Sequence, residues 1–168
     1  MTVWIVSKTL NDFIMKIKTN NLMIGDLIEV AFHNGEWKCV CVEQIRYIED
    51  SHIIYFSYKD ADGEHHNYIS CDDSDEYIRG IEITEDFLTK NGFVGDGYFR
   101  LDVGDNKSYE YYPHEHRLTL YYEGINEWDN HSRVKDVLFR CHCRYVHELQ
   151  HAFKMWDDFA SLANKLVV

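Results

Sequence analysis

Residues 22–48 read LMIGDLIEVAFHNGEWKCVCVEQIRYI, and their reading decides the fold. Apolar residues recur here without helical spacing, and Asn34-Gly35 breaks the run as a tight-turn pair between two strands. Residues 52–71, HIIYFSYKDADGEHHNYISC, repeat the scheme around Asp62-Gly63. Four strands in quick succession, opened by Ile24-Gly25-Asp26, predict a small, strongly bent SH3-like β-barrel. Upstream, Thr2 to Val6 reads as a short strand. Leu10, Phe13, Ile14 and Ile17 give residues 9–18 the spacing of a short amphipathic helix.

Downstream the pattern alternates between loop, helix and strand. CDDSDEY (71–77) is an acidic loop by composition. ITEDFLTKNGF (83–93) is a helix with Thr84 as N-cap, Glu85 and Asp86 at the positive end of the dipole, and Gly92 as the stop. Strands are expected at 98–103, 109–112, 117–123 and 133–139, with a turn at Gly104-Asp105-Asn106. A long last helix, from near Cys143 to Leu166, would carry Val146, Leu149, Phe153, Trp156, Ala160 and Ala163 as its apolar stripe. The fold class is therefore α+β: an SH3-like β-barrel half, then an antiparallel sheet packed on a long C-terminal helix. The organisation is residues 1–21 as an N-terminal strand and short helix, 22–83 as the barrel, and 84–168 as the α+β unit.

Composition narrows the function classes. An apolar fraction of 45% against 27% charged residues argues against disorder. Seventeen Lys and Arg against twenty-nine Asp and Glu leave a formal charge of −12, which repels nucleic acid and anionic membranes. No apolar run reaches the ~18 residues that a membrane span needs. MTVWIVSKTLNDFIMKIKTNN lacks the long apolar segment of a secretory signal. Cys39, Cys41, Cys71, Cys141 and Cys143 are odd in number and suit neither a disulfide framework nor a zinc ribbon. Five free thiols in the cytoplasm are the expectation.

Three stretches, Leu22-Met-Ile-Gly-Asp-Leu-Ile, ITEDFLTKNGF and Arg144-Tyr-Val-His-Glu-Leu-Gln-His, occur here in one order. Together they resemble a family of small uncharacterised proteins of gut Bacteroidetes and their prophages. The resemblance runs from about Leu22 to about Trp156 and implies a source but no mechanism. The family's usual ending is Tyr-Val-His-Gln-Leu-Gln-Asn, from which Glu148 and His151 depart. The stretch from Gly25 to Ile45 is also similar to the opening of Tudor-type barrels.

Those two departures create His147-Glu148-Leu149-Gln150-His151, an H-E-x-x-H motif. On a helix its imidazoles lie ~6 Å apart along the axis, and in a zincin Glu148 would take a proton from metal-bound water. The third ligand is the difficulty. Asp157 has the spacing but would lie ~15 Å along an unbroken helix from His147, and position 154 is Lys where a chain reversal needs Gly. Upstream candidates are Cys143, one helical turn before His147, and His114 or His116. The opposing reading places Leu149 toward the core and both histidines on the opposite face, as ordinary helix residues. Phe32, Trp37, Tyr55 and Tyr58 are candidates for an aromatic pocket of the kind that binds methylated lysine, although strand aromatics more often build cores.

The sequence supports a non-enzymatic cytoplasmic binding or adaptor module of mobile-element origin, with no cofactor and no direct contact with nucleic acid or membrane. It would meet a protein partner through the barrel face or the acidic surface. The alternative is a small zinc-dependent metallohydrolase using His147, Glu148 and His151. A third reading is an acidic decoy that occupies a nucleic-acid-binding host protein.

Overall fold

The computed structural model describes residues 21–32, 34–48, 51–60, 62–70, 78–125, 133–155 and 160–168. The strand and helix expected within residues 1–21, the loop at 71–77, Cys71, Trp156 and Asp157 lie outside the described residues. The chain divides into two units, one ending at Gly80 and the other beginning at Ile81.

The first unit is a five-stranded antiparallel sheet. Its strands are β1 (Leu27–Ala31), β2 (Trp37–Ile48), β3 (Ser51–Lys59), β4 (His65–Ser70) and β5 (Ile78–Gly80), in the order β4-β3-β2-β1-β5. Both expected turns are present. Gly35 has φ 82°, and its N–H donates to Phe32 O at 2.8 Å. Gly63 has φ 81° and closes on Asp60 O at 3.0 Å. Such left-handed backbone is what glycine allows at little cost. Alternation places Ile28, Val30, Val40, Val42, Ile54, Phe56 and Ile78 in one core with Leu22. Asp26 is buried beside it and holds the approach to β1 in place. Its Oδ2 accepts the Met23 N–H at 2.7 Å, and its carbonyl accepts the Val42 N–H at 2.9 Å.

This sheet is open, which corrects the expected barrel. β4 and β5 form its two edges, and each pairs with one strand among the described residues. The three-residue β5 takes the outer side of β1, where a closing strand would have to bond. Hairpin signals are local and predict which neighbours pair. Closure depends on a non-local pairing that no local signal encodes.

The second unit is a meander of β6 (Val94–Asp96), β7 (Tyr98–Gly104), β8 (Lys107–Tyr112), β9 (Arg117–Ile125) and β10 (Arg133–His142), ordered β10-β9-β8-β7-β6. Helix α1 (Glu85–Lys90) precedes it, with Thr84 Oγ1 accepting the Phe87 N–H at 3.1 Å as the cap expected from the sequence. Two short helices follow, α2 (Val146–Lys154) and α3 (Ala160–Ala163). One sheet face presents Phe99, Tyr109, Tyr111, Leu118 and Leu120 to the core. The Tyr109 ring lies 4.8 Å from that of Phe153 on α2.

The long C-terminal helix is the second correction. Residues 143–145 are non-helical, and the segment from Arg144 to Val146 is zipped to residues 81–83, so the helix cannot begin before Val146. Ile83 N–H donates to Arg144 O at 3.0 Å, Val146 N–H to Ile81 O at 2.8 Å, and Glu82 bridges to Tyr145. Helical periodicity in the sequence ran straight through this pairing because it is carried by backbone groups. With only short helices and two five-stranded sheets, the described fold is mostly β, where an α+β class with a long C-terminal helix was expected. No helix among the described residues is long and apolar enough to cross a membrane.

Candidate functional site

Helix α2 sets His147 and His151 one turn apart, with ring centroids 5.8 Å from each other. His147 is 4% exposed and its ring stacks on Tyr145 at 5.8 Å, while His151 is half-buried. His147 was expected on the helix face opposite Leu149, and the structure encloses it there against Tyr145. Leu149 is fully buried, as its spacing predicted. Glu148 faces backward along the chain. Its Oε2 accepts the N–H groups of Arg144 at 2.7 Å and Tyr145 at 3.0 Å, capping the start of the helix.

The proposed further ligands separate. Cys143 lies on the extended segment before α2, so it forms no helical column with the two histidines. Its Sγ is 3.3 Å from that of Cys141. His114 is exposed in the 3₁₀ turn Pro113–Glu115. His116 follows with φ 47°, its ring 5.6 Å from that of His142. Cys39, Cys41, Cys141 and Cys143 are free thiols.

Among the described residues, one grouping of His, Cys, Asp and Glu is tight enough to share an ion: Asp60, Glu64 and His66 at the β3–β4 turn. Its hydrogen bonds are those of a closed loop. Asp60 Oδ1 accepts the N–H groups of Asp62 at 3.0 Å and Glu64 at 2.9 Å, and Oδ2 lies 2.8 Å from His66 Nε2. The His66 contact, then these amides, hold the Asp60 carboxyl below its usual range.

The four aromatic candidates do not form one cage. Phe32 and Tyr58 meet edge-on at 5.3 Å against the core, and Lys38 Nζ lies 5.2 and 4.7 Å from their rings. Arg79 covers Trp37 at 4.1 Å and Arg46 covers Tyr55 at 5.1 Å. Each ring already faces a cation of this chain.

A different region gathers more chemistry. On the side of the second sheet away from Tyr109, register aligns Arg100, Glu110, Thr119 and Arg140 across four strands. Glu110 is 3% exposed, and it accepts from Lys135 Nζ at 2.5 Å and from the Tyr112 hydroxyl at 2.6 Å. That bond to a carboxylate pushes the Tyr112 phenol well above its ordinary range. Arg100 reaches Asp102 at 2.8 Å and Glu123 at 2.7 Å. Tyr98 and Tyr112 stack at 5.7 Å, with the Arg117 guanidinium 4.3 Å from the Tyr112 ring.

This network stops at β10. The strand is ten residues long, pairs with β9 on one side, and meets no strand on the other among the described residues. Val137 and Leu138 are 49% and 39% exposed, beside the register shift between Val137 and Phe139. Three of its residues are basic (Arg133, Lys135, Arg140) and one is acidic (Asp136), on a chain of net charge −12. Where β10 ends, an open cavity of about 350 Å³ is lined by Glu115, Arg117, Arg140, Cys141 and His142. Alternation in RVKDVLFRCH marks a strand but does not reveal that it lies at an edge, and the site escaped sequence reading for that reason. Compared with known proteins, the chain matches no family model, no curated protein and no solved structure.

Proposed function

We propose that this chain is a non-enzymatic protein-binding module of the bacterial cytoplasm, carried by a mobile element, that receives an extended acidic segment of a partner along β10. The observation that carries this reading is the ten-residue edge strand with Val137 and Leu138 exposed on it. Long edge strands are normally blunted because their unpaired N–H and C=O groups recruit other chains. Where such a strand remains open, adding a partner's strand gains main-chain hydrogen bonds, and flanking side chains supply specificity. Arg133, Lys135, Arg140, Arg117 and His142 would favour carboxylates in that segment. The resemblance to prophage-borne proteins and the four free thiols support the compartment and source. Glu148, held by two backbone amides, offers the zinc-hydrolase alternative no comparable support.

Selection of a random-peptide display library against the purified chain tests the proposal. Extended acidic sequences should be enriched, and their binding should be lost in Val137→Asp and Leu138→Glu. Enrichment of neutral or basic sequences, or acidic binders indifferent to both substitutions, would overturn it.

A further inference from the structure

Two cysteines at the end of β10 are built as an asymmetric pair. Cys141 is half-exposed and in register with Leu118, while Cys143 is 1% exposed. The backbone of Cys143 is held on both sides. Its N–H donates to His116 O at 2.6 Å, and its carbonyl accepts the Tyr111 hydroxyl at 2.8 Å. The two Sγ atoms approach to 3.3 Å. A reagent from solvent can therefore reach Cys141, and the sulfur poised to reach Cys141 from inside is that of Cys143.

We propose that Cys141 and Cys143 form a redox-active dithiol that exchanges with anionic low-molecular-weight disulfides. The Cys141 thiolate attacks one sulfur of the disulfide, a mixed disulfide forms, and one small thiolate leaves. Cys143 then loses its proton and attacks the Cys141 sulfur, expelling the second small thiolate. The chain ends oxidised by two electrons, with one new S–S bond. The disulfide ends as two thiols, which take up the two protons. The thiol of Cys143, donating to Cys141, lowers the Cys141 pKa and leaves Cys143 as the protonated partner, as this order of attack requires. Arg117, Arg140 and His142 line the cavity that Cys141 also lines; Glu115 lines it too and pairs with Arg117 at 2.7 Å, so Arg140 and His142 are the groups that favour a disulfide bearing carboxylates over a neutral one.

The other C-x-C pair is an internal control. Cys39 is exposed on β2, but partial desolvation of its sulfur, with Glu29 and Cys41 nearby, pushes its thiol up to about 11, which leaves it a protonated and poor nucleophile. The proposal does not rest on peptide binding along β10, although both draw on Arg117, Arg140 and His142.

The test is a redox titration of the full chain with reduced and oxidised glutathione, quenched in acid, alkylated and mapped by mass spectrometry. The expected result is loss of two hydrogens confined to the peptide holding Cys141 and Cys143, reversed by dithiothreitol. Cys143→Ser, or Cys143→Ala should the serine prevent folding, should trap glutathione on Cys141. Cys141→Ser should carry no adduct on Cys143. Arg140→Gln should slow reaction with oxidised glutathione severalfold more than it slows reaction with neutral hydroxyethyl disulfide. A bridge formed equally at Cys39–Cys41, or a stable adduct on Cys141 of the parent chain with no bridge, would overturn the proposal.

Discussion

Glu148 lies three residues into α2, and its carboxylate binds the amides of Arg144 and Tyr145 rather than facing a shared site with His147 and His151. The same residue that completes the H-E-x-x-H motif also fits a helix start, because both roles ask for a carboxylate near the first turn. Glu148→Ala should cost about 1 kcal/mol in urea unfolding, the usual worth of a lost N-terminal cap. A chelator should leave the parent's melting temperature unchanged. A chelator effect that disappears in His151→Asn would instead restore the zinc reading. Leu149 is fully enclosed on the same helix, so Leu149→Ala should cost about 2–5 kcal/mol by the same measurement. At the β3–β4 turn, the folded chain holds Asp60 at a lowered pKa through His66 and the Glu64 amide. A depressed carboxylate adds stability above its unfolded value and loses it as pH falls through the folded one. Stability should therefore decline below about pH 4, where unperturbed aspartate titrates, and Asp60→Asn should flatten that decline in a pH series of unfolding curves.

At the scale of elements, what was legible followed from local chemistry. Asn34-Gly35 and Asp62-Gly63 specify their hairpins because the required positive φ falls on glycine. Thr84 specifies α1 because its hydroxyl reaches the Phe87 amide. The end of the last helix was not legible, since Cys143 to Tyr145 look helical by spacing yet hydrogen-bond to residues 81–83 far upstream. The edge position of β10 was hidden for a related reason. Its alternation of apolar and charged residues would suit an inner strand with one polar face equally well. Because Leu138 is 39% exposed, Leu138→Glu should leave stability within about 0.5 kcal/mol while removing binding of the acidic peptide. Comparing its unfolding midpoint with its peptide affinity checks both halves, and a large loss of stability would mean that Leu138 packs in the fold.

At the scale of the whole molecule, two open sheets stand where one barrel and a sheet packed on a single long helix were expected. Both differences come from pairings between distant parts of the chain, β5 with β1 and residues 81–83 with 143–146. The candidate site moved for the same reason, from a helix motif visible in five letters to a strand edge that exists only once the sheet is ordered. Net charge remained informative, because a basic strand end stands out against −12 overall. Amide hydrogen exchange, measured with and without a selected acidic peptide, tests the edge-strand account most directly. The account predicts new protection along Arg133–His142 and no change along β4 or α2. Protection confined to the first unit, or to residues 146–154, would contradict it.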